Sequence, residues 1–103
     1  MRTHGDSRSE AIALSDLGNL EIDLGDAASA RDRFELALDI SRSIGDRYDE
    51  GYFVAGLGME ALELGDLAAA REHYQQAATT HQQVGNPRGE GIARAYLGLC
   101  AEM

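Results

Sequence analysis

The segment LSDLGNLEIDLGDAASARDRFELAL, residues 14–38, returns 40 residues later as VAGLGMEALELGDLAAAREHYQQAA, residues 54–78. Both copies contain a Leu-Gly pair, a Gly-Asp pair and an Ala-x-x-x-aromatic-x-x-Ala pattern, whose aromatic residue is Phe34 or Tyr74. The same period relates Gly5 to Gly45 and Gly85, and Leu97-Gly98 begins a third copy. A fixed period of a few tens of residues is typical of stacked repeats, in which each unit buries its apolar face against its neighbours.

Helix-stop and helix-start residues recur between the apolar segments. Glycine is favoured where the chain turns into the left-handed region after a helix, and four glycines follow apolar runs at helical spacing: Gly25, Gly45, Gly65 and Gly85. Each is followed by Asp or Asn, which can cap the next helix, and Ser7-x-x-Glu10 resembles a capping box for the first. The sequence therefore predicts an all-α fold with two-residue turns and five helices, over residues 7–24, 27–44, 47–64, 67–84 and 87–103.

Length and composition indicate one domain without a membrane segment. The 103 residues suffice for one compact core, and no apolar run approaches the roughly 18 residues that cross a bilayer. Residues 1–6 have no apolar core after their positive charge, so no secretory signal is predicted and we expect a cytoplasmic protein. All nine basic residues are arginine, which favours a bacterial source with a GC-rich genome.

The formal net charge of −9 and the sequence pI of about 4.6 argue against binding to nucleic acid. An acidic protein releases no counterions from the phosphate backbone, and this release drives non-specific binding. Cys100 is the single cysteine, so no intramolecular disulfide can form, and we expect a buried, unreactive thiol.

The repeated unit resembles the tetratricopeptide repeat, whose pattern places Leu-Gly ahead of an Ala-x-x-x-Phe segment. Leu17-Gly18 followed by Ala30-x-x-x-Phe34 matches this pattern, and so does the second copy. In such a unit small residues let two helix backbones approach while the ring fills the space beside them. The resemblance implies a right-handed α-solenoid of antiparallel helix hairpins, with repeats at residues 7–46 and 47–86 and a half repeat at 87–103.

The chain also departs from the usual pattern of this family. An aromatic residue is usual where Leu14, Val54 and Arg94 stand, a tyrosine is usual at residues 21, 61 and 101, and the closing proline is missing. The period of 40 exceeds the usual value of about 34, which implies a longer second helix in each hairpin. In this respect the chain is similar to Partner-of-Inscuteable-type adaptors and maltose-activator-type bacterial regulators. Both ends interrupt a repeat, so we expect a piece of a longer array, or a fragment that takes its missing helix from another chain.

Two patterns could suggest a cofactor or a metal, and neither has the required context. Gly56-x-Gly58-x-x-Ala61 matches a dinucleotide fingerprint, which needs a strand-to-helix turn, whereas the repeat register places Gly58 inside a helix. The histidines lack the spacing of metal ligands, and we expect them at the surface: His4, His73 and His81.

No set of residues resembles a catalytic centre, and we expect no enzyme, cofactor or metal. General acid–base catalysis needs a carboxyl group whose environment shifts its pKa. The abundant carboxylates lie beside turns or on helix faces that we expect to be solvated, among them Asp16, Asp23, Glu60 and Glu63.

The resemblance implies that the first helix of each hairpin lines a concave face that binds a partner. The matching positions share one helical face: Ile12, Ser15, Asn19 and Ile22, then Tyr52, Ala55, Met59 and Leu62, then Ile92, Ala95 and Leu99. Four acidic residues flank them: Asp16, Asp23, Glu63 and Glu102. We expect a peptide or helix with apolar anchors and basic edges, bound by Ile12, Ser15, Asn19, Tyr52, Met59, Leu62 and Glu63. The alternative is that a tightly wound superhelix buries these side chains.

A carboxylate clamp of the kind found in chaperone-binding members is not predicted. Ile12 and Ser15 stand where cations would be needed, and only Asn19 matches. Three functions remain open: an interaction module, a regulatory or sensor segment of a larger bacterial transcription activator or signalling ATPase, and an accessory subunit of an enzyme.

The fifth helix lacks a following helix to cover it. Contiguous apolar surface of this kind is seldom left bare, so we predict a homodimer or end-to-end stacking. The contact is expected through Ile92, Tyr96, Leu97, Leu99, Cys100 and Met103, with two Cys100 thiols close to each other.

Overall fold

The computed structural model describes residues 4–102, and over that range it consists of five helices. They are α1 (His4–Asp23), α2 (Ala27–Ser43), α3 (Arg47–Glu63), α4 (Leu67–Gln83) and α5 (Pro87–Glu102). No strand occurs in this part of the chain. The predicted all-α class and the positions of the helices are confirmed, although α1 to α4 each end one residue earlier than predicted.

Each connection between helices is built from the same hydrogen bonds. In the first, Gly25 has a φ of +85° and its N–H donates to the Ile22 carbonyl (2.9 Å), while the Asp26 N–H donates to the Glu21 carbonyl (2.7 Å). This pair of bonds satisfies the last carbonyls of α1. The Asp26 carboxylate then caps α2 by accepting from the Ser29 N–H (3.2 Å). The other connections repeat this arrangement with Asp46, Asp66 and Asn86 as caps, so the predicted stop and cap residues are confirmed.

The first helix begins earlier than predicted, so the capping box at Ser7 is wrong. α1 begins at His4, and Gly5 and Ser7 both lie inside it. Asp6 in the first turn is favourable because the helix dipole is positive there. Arg8, two residues further on, pairs with the buried carboxylate of Asp49 in α3. These interactions extend α1 through the segment in which the repeat register placed a turn.

The helices lie in two layers. Each helix contacts the next one along the chain, α1 contacts α3, and α3 contacts α5, whereas the backbones of α2 and α4 do not approach each other closely within the described residues. Therefore α1, α3 and α5 form one layer and α2 and α4 form the other. The molecule measures 47 × 31 × 17 Å, and its arrangement is that of a helical-repeat bundle.

Glycines of the first layer receive aromatic rings from the second layer. A Cβ atom added to Gly18 would lie 2.9 Å from Cζ of Phe34, and one added to Gly58 would lie 2.9 Å from Cε2 of Tyr74. Both rings are buried. The predicted close packing of helices at Gly18 and Gly58 is confirmed.

Phe34 has a second glycine contact, which the repeat pattern did not reveal. Gly56 lies in the middle of α3, and an added Cβ would overlap the Phe34 ring. The ring is thus enclosed by Gly18 of α1 and Gly56 of α3. Both glycines of the dinucleotide-like motif, Gly56 and Gly58, lie inside a helix and serve helix packing.

Alanine at Gly58 and at Gly98 should have opposite effects on stability. Gly98 stands in the same repeat register, but nothing lies within 4 Å of a Cβ built there. Gly58→Ala should destabilise the protein by about 1–3 kcal/mol because Tyr74 must move. Gly98→Ala should stabilise it by up to about 1 kcal/mol because alanine favours a helix over glycine. Urea unfolding followed by circular dichroism measures both, and effects of the same sign would contradict this account.

Candidate functional site

Two adjoining pockets open on the face formed by α1, α3 and α5. The apolar pocket has a volume of about 230 Å³ and is lined by Ser15, Asn19, Tyr52, Ala55, Gly56, Met59, Tyr74, Ile92 and Tyr96. The acidic pocket has a volume of about 310 Å³ and is lined by Ile12, Ser15, Asp16, Asn19, Asp49, Tyr52 and Phe53. Ser15, Asn19 and Tyr52 line both, so the two pockets form one continuous groove, which we call the odd-helix groove.

The groove brings together five of the seven residues that the sequence assigned to partner binding: Ile12, Ser15, Asn19, Tyr52 and Met59. The other two lie elsewhere. Leu62 is half-buried and packs against a core cluster around Tyr74. Glu63 lines a separate depression at the turn between α1 and α2. Helical periodicity therefore predicted the residues in the middle of the groove correctly, but Leu62 and Glu63, near the end of α3, do not line it.

The groove is open rather than closed by tight winding of the helices. Tyr52 is 37% exposed and Ile92 is 46% exposed, while Ser15 and Met59 are half-buried. The alternative of complete burial applies to Ile22, which is 7% exposed. Aromatic and aliphatic side chains are thus available to a ligand.

Tyr52, which lines both pockets, is positioned by a hydrogen bond from Asn86 and a ring contact with His81. The Asn86 Oδ1 accepts from the Gly89 N–H (3.1 Å), which fixes the orientation of the amide. The Nδ2 group then donates to the Tyr52 hydroxyl (2.8 Å) and lies 3.4 Å from Nδ1 of His81. The Tyr52 ring meets His81 edge-on, with centroids 4.6 Å apart. Residues of α4 and of the α4–α5 connection therefore position this side chain of α3.

His81 is buried, so the prediction that it lies at the surface is wrong. It is 1% exposed, and its ring lies between Gly51 and Gly89, where an added Cβ would come within 2.6 Å of it. Because the Asn86 Nδ2 can only donate, Nδ1 of His81 accepts and the proton of the neutral ring is on Nε2. Burial lowers the pKa of His81, and the Glu90 carboxylate opposes this. The glycines that admit the ring lie on two other helices, so local sequence did not reveal them.

The other two histidines differ from His81. His73 is half-buried and lines a pocket on the opposite layer. The side chain of His4 lies outside what the structure describes. Within residues 4–102 no group of three or more His, Cys, Asp or Glu side chains could hold a metal ion.

The buried carboxylates of α3 form ion pairs with arginine. The expectation of a solvated carboxylate is wrong for Glu60, whereas Asp16, Asp23 and Glu63 are exposed as expected. Glu60 is 2% exposed, and its Oε1 lies 2.7 Å from Nη2 of Arg31. A buried carboxylate needs such a partner because removal from water disfavours its charge. Three pairs join α3 to α1 or α2 in this way: Arg8–Asp49, Arg31–Glu60 and Arg42–Glu50.

Tyr74 lines the apolar pocket from within the core. It is 1% exposed, and its ring stacks on Tyr96 with centroids 4.9 Å apart and planes 4° apart. Among the described side chains its hydroxyl is the one buried polar group without a hydrogen-bond partner. Burial raises the pKa of this hydroxyl. Phe34 occupies the equivalent position of the first repeat without a polar atom.

The residues predicted to mediate self-association are divided between the groove, the surface and the core. Ile92 and Tyr96 line the apolar pocket, Leu99 is 47% exposed and Leu97 is half-buried. Cys100 is 1% exposed, which confirms the buried thiol.

Since Cys100 packs with Ala61, Ala70 and Tyr74, it is not on a surface that a second copy reaches, and the predicted approach of two Cys100 thiols does not fit this structure. Met103, the last residue predicted to take part, lies outside the described residues.

A further pocket of about 320 Å³ lies between α2, α3 and α4, on the opposite side of the molecule. It is lined by Glu35, Leu38, Asp39, Arg42, Val54, Leu57, His73 and Gln76. Its apolar residues Leu38, Val54 and Leu57 belong to the buried core, and Arg42 is engaged with Glu50. The odd-helix groove, with exposed apolar side chains next to polar ones, is the better candidate for a binding site.

No protein-family model matches the chain, and no curated protein or solved structure matches it either. None of the helices in residues 4–102 is long and apolar enough to cross a membrane. The tetratricopeptide assignment therefore depends on the repeat motif, and the functional assignment depends on the groove.

Acidification should destabilise the fold through His81. In the unfolded chain this ring takes up a proton near pH 6.5, whereas burial lowers its pKa in the folded protein. The unfolded state binds more protons between these two values, so the free energy of unfolding falls as the pH drops below about 6.5. Thermal unfolding from about pH 7.5 to 5 should show a steeper loss for the wild type than for His81→Gln. His73→Gln is the control and should keep the wild-type slope. Equal slopes for wild type and His81→Gln would exclude this role.

Removing the Tyr74 hydroxyl should stabilise the free protein. Tyr74→Phe deletes an unpaired buried polar group, which costs roughly 1–3 kcal/mol. The reciprocal change Phe34→Tyr should be destabilising, because Cζ of Phe34 already lies at the closest approach to Gly18. Chemical unfolding measures both, and a destabilised Tyr74→Phe protein would show that the hydroxyl has a partner.

Proposed function

We propose that the chain is a non-catalytic protein-interaction module of the tetratricopeptide type, whose odd-helix groove binds a peptide or a helix. The observation that carries this proposal is the open groove itself, lined by five of the residues that the repeat pattern assigned to a partner. Exposed Tyr52 and Ile92 next to polar Ser15 and Asn19 give the mixture of apolar anchors and hydrogen-bonding groups that recognition sites use.

In this proposal the helices stack as a right-handed α-solenoid of about two and a half repeats. Support comes from the recurring contact between a glycine of one helix and a ring of the next, at Gly18 and at Gly58. Contacts of α3 with both α1 and α5 support it as well, because stacking of successive repeats brings their first helices together.

The charge of the groove favours a partner with basic edges. Asp16 and Asp49 line it, and the chain as a whole has a net charge of −9. Opposite charges at the rim of an interface accelerate association and are screened by salt. Binding should therefore weaken as the salt concentration rises.

A charged side chain in the groove should abolish binding, whereas the same change on the other layer should not. Ile92→Glu and Met59→Glu place a carboxylate against the apolar anchor of a peptide selected from a displayed library. Leu36→Glu is the control, because Leu36 is 47% exposed on α2. Calorimetric titration should show affinity at least about tenfold lower for the groove variants. An equal loss for Leu36→Glu, or none for Ile92→Glu, would move the site elsewhere.

We also propose that α5 pairs with a second copy of the chain. In α1 and α3 the repeat glycine is covered by a ring, whereas nothing lies near the corresponding Gly98 of α5. Leu99 is 47% exposed beside it. A two-fold contact through α5 would cover this surface in both copies.

Self-association should depend on Leu99. At about 100 µM, light scattering should report a dimer for the wild type and a monomer for Leu99→Glu, because burying an unpaired carboxylate in an apolar contact is costly. Leu20→Glu is the matched control on α1, where Leu20 is 52% exposed. A monomeric wild type at this concentration would rule out the dimer.

A further inference from the structure

The acidic pocket contains more negative than positive charge. Asp16 and Asp49 line it, and no arginine or histidine does. Asp49 shares one guanidinium with Asp46, because Nε of Arg8 lies 2.7 Å from Oδ2 of Asp49 and 3.3 Å from Oδ2 of Asp46. Arg8 is thus shared by two carboxylates, and Asp16 adds a third carboxylate to the lining of the pocket.

The environment of Asp49 shows that Arg8 does not fully compensate the burial of this carboxylate. Asp49 is 7% exposed, and its burial, reinforced by Asp46, raises its pKa although Arg8 opposes the shift. A second cation within hydrogen-bond reach would favour the charged form of this carboxylate. The site is therefore suited to a ligand that brings a positive charge.

The neutral walls of the acidic pocket suit an arginine side chain. The half-buried Ile12 offers apolar surface to a methylene stem, and the Tyr52 ring, 37% exposed, offers a face to a guanidinium. Ser15 and Asn19 supply further acceptors next to Asp16. A guanidinium presents five donors in one plane, whereas an ammonium presents three donors around a point charge, so arginine can bond more of these acceptors at once than lysine can.

The adjoining apolar pocket offers apolar surface to the same ligand. Ile92 is 46% exposed and Met59 is half-buried, and the buried Tyr74 ring lines the pocket with them. A peptide segment seated there would bury an apolar side chain against these residues.

We propose that the odd-helix groove recognises a peptide segment that places an arginine in the acidic pocket and a neighbouring apolar side chain in the apolar pocket. This inference rests on the proposed function and specifies the chemistry of the partner. Because Ser15, Asn19 and Tyr52 line both pockets, the two side chains must lie close together in the segment. Residues i and i+2 of an extended chain meet this requirement, since they point to the same side.

A nuclear magnetic resonance titration tests the proposal with the acetylated and amidated peptide Gly-Leu-Gly-Arg-Gly. Amide shifts are expected at Ser15, Asp16 and Asn19 and at Ala55 and Met59. Replacing the arginine by citrulline, which keeps the shape without the charge, should weaken binding about tenfold. Replacement by lysine should weaken it less.

Protein variants separate the pocket from the general acidity of the chain. Asp16→Asn should weaken the arginine peptide about tenfold, whereas Asp23→Asn, an equal change of charge on the same helix outside the groove, should not.

The possible failures can be told apart. If the citrulline peptide binds equally well and still shifts Ala55 and Met59, arginine recognition is wrong and the peptide-binding function stands. If no peptide shifts the groove amides, both are wrong. If these amides shift when the protein alone is concentrated, a second copy occupies the groove and the arginine proposal is overturned.

Discussion

The fold depends on the close approach of rings to glycines that lack a Cβ atom. Three buried rings are seated in this way: Phe34 on Gly18 and Gly56, Tyr74 on Gly58, and His81 on Gly51 and Gly89. A side chain at any of these glycines would push a ring out of place, because protein cores have no spare volume. Three of the five glycines belong to α3, so this helix is held against α2 on one side and α4 on the other. Its position determines where the odd-helix groove opens.

The two junctions between repeats use different chemistry at equivalent positions. At the first, the Ser41 hydroxyl donates to the Asp46 carbonyl (2.5 Å) and Asp49 pairs with an arginine of α1. At the second, His81 replaces the serine, and its larger ring requires the glycine that stands in place of Asp49. Asn86 in place of aspartate then reaches Tyr52 with its amide. These substitutions depend on one another, and together they fix the side chain that both pockets share.

The parts of the structure that could be predicted from the sequence are those formed by residues close together along the chain. Gly25 and Asp26 end one helix and start the next through bonds within six residues of chain, and the ring of Phe34 meets Gly18 across one hairpin. The burial of His81 could not be predicted in this way, because its surroundings combine Gly51 of α3 with Gly89 of α5. The pairing of Glu60 with Arg31 likewise depends on how two helices lie side by side. The middle of the groove followed from helical periodicity, whereas Leu62 packs against the core beside Tyr74 instead of lining the groove.

The proposed peptide groove and the proposed dimer contact both use one face of α5. Ile92, Tyr96 and Leu99 follow one another at intervals of four and three residues, so they form one stripe along the helix. The first two line the apolar pocket, and the third is exposed beyond it. A second copy that covers Leu99 along this stripe would lie against the edge of the pocket. Because linkage is reciprocal, a peptide that is hindered by the dimer must in turn weaken the dimer. Occupancy of the groove would then control the association of the chain.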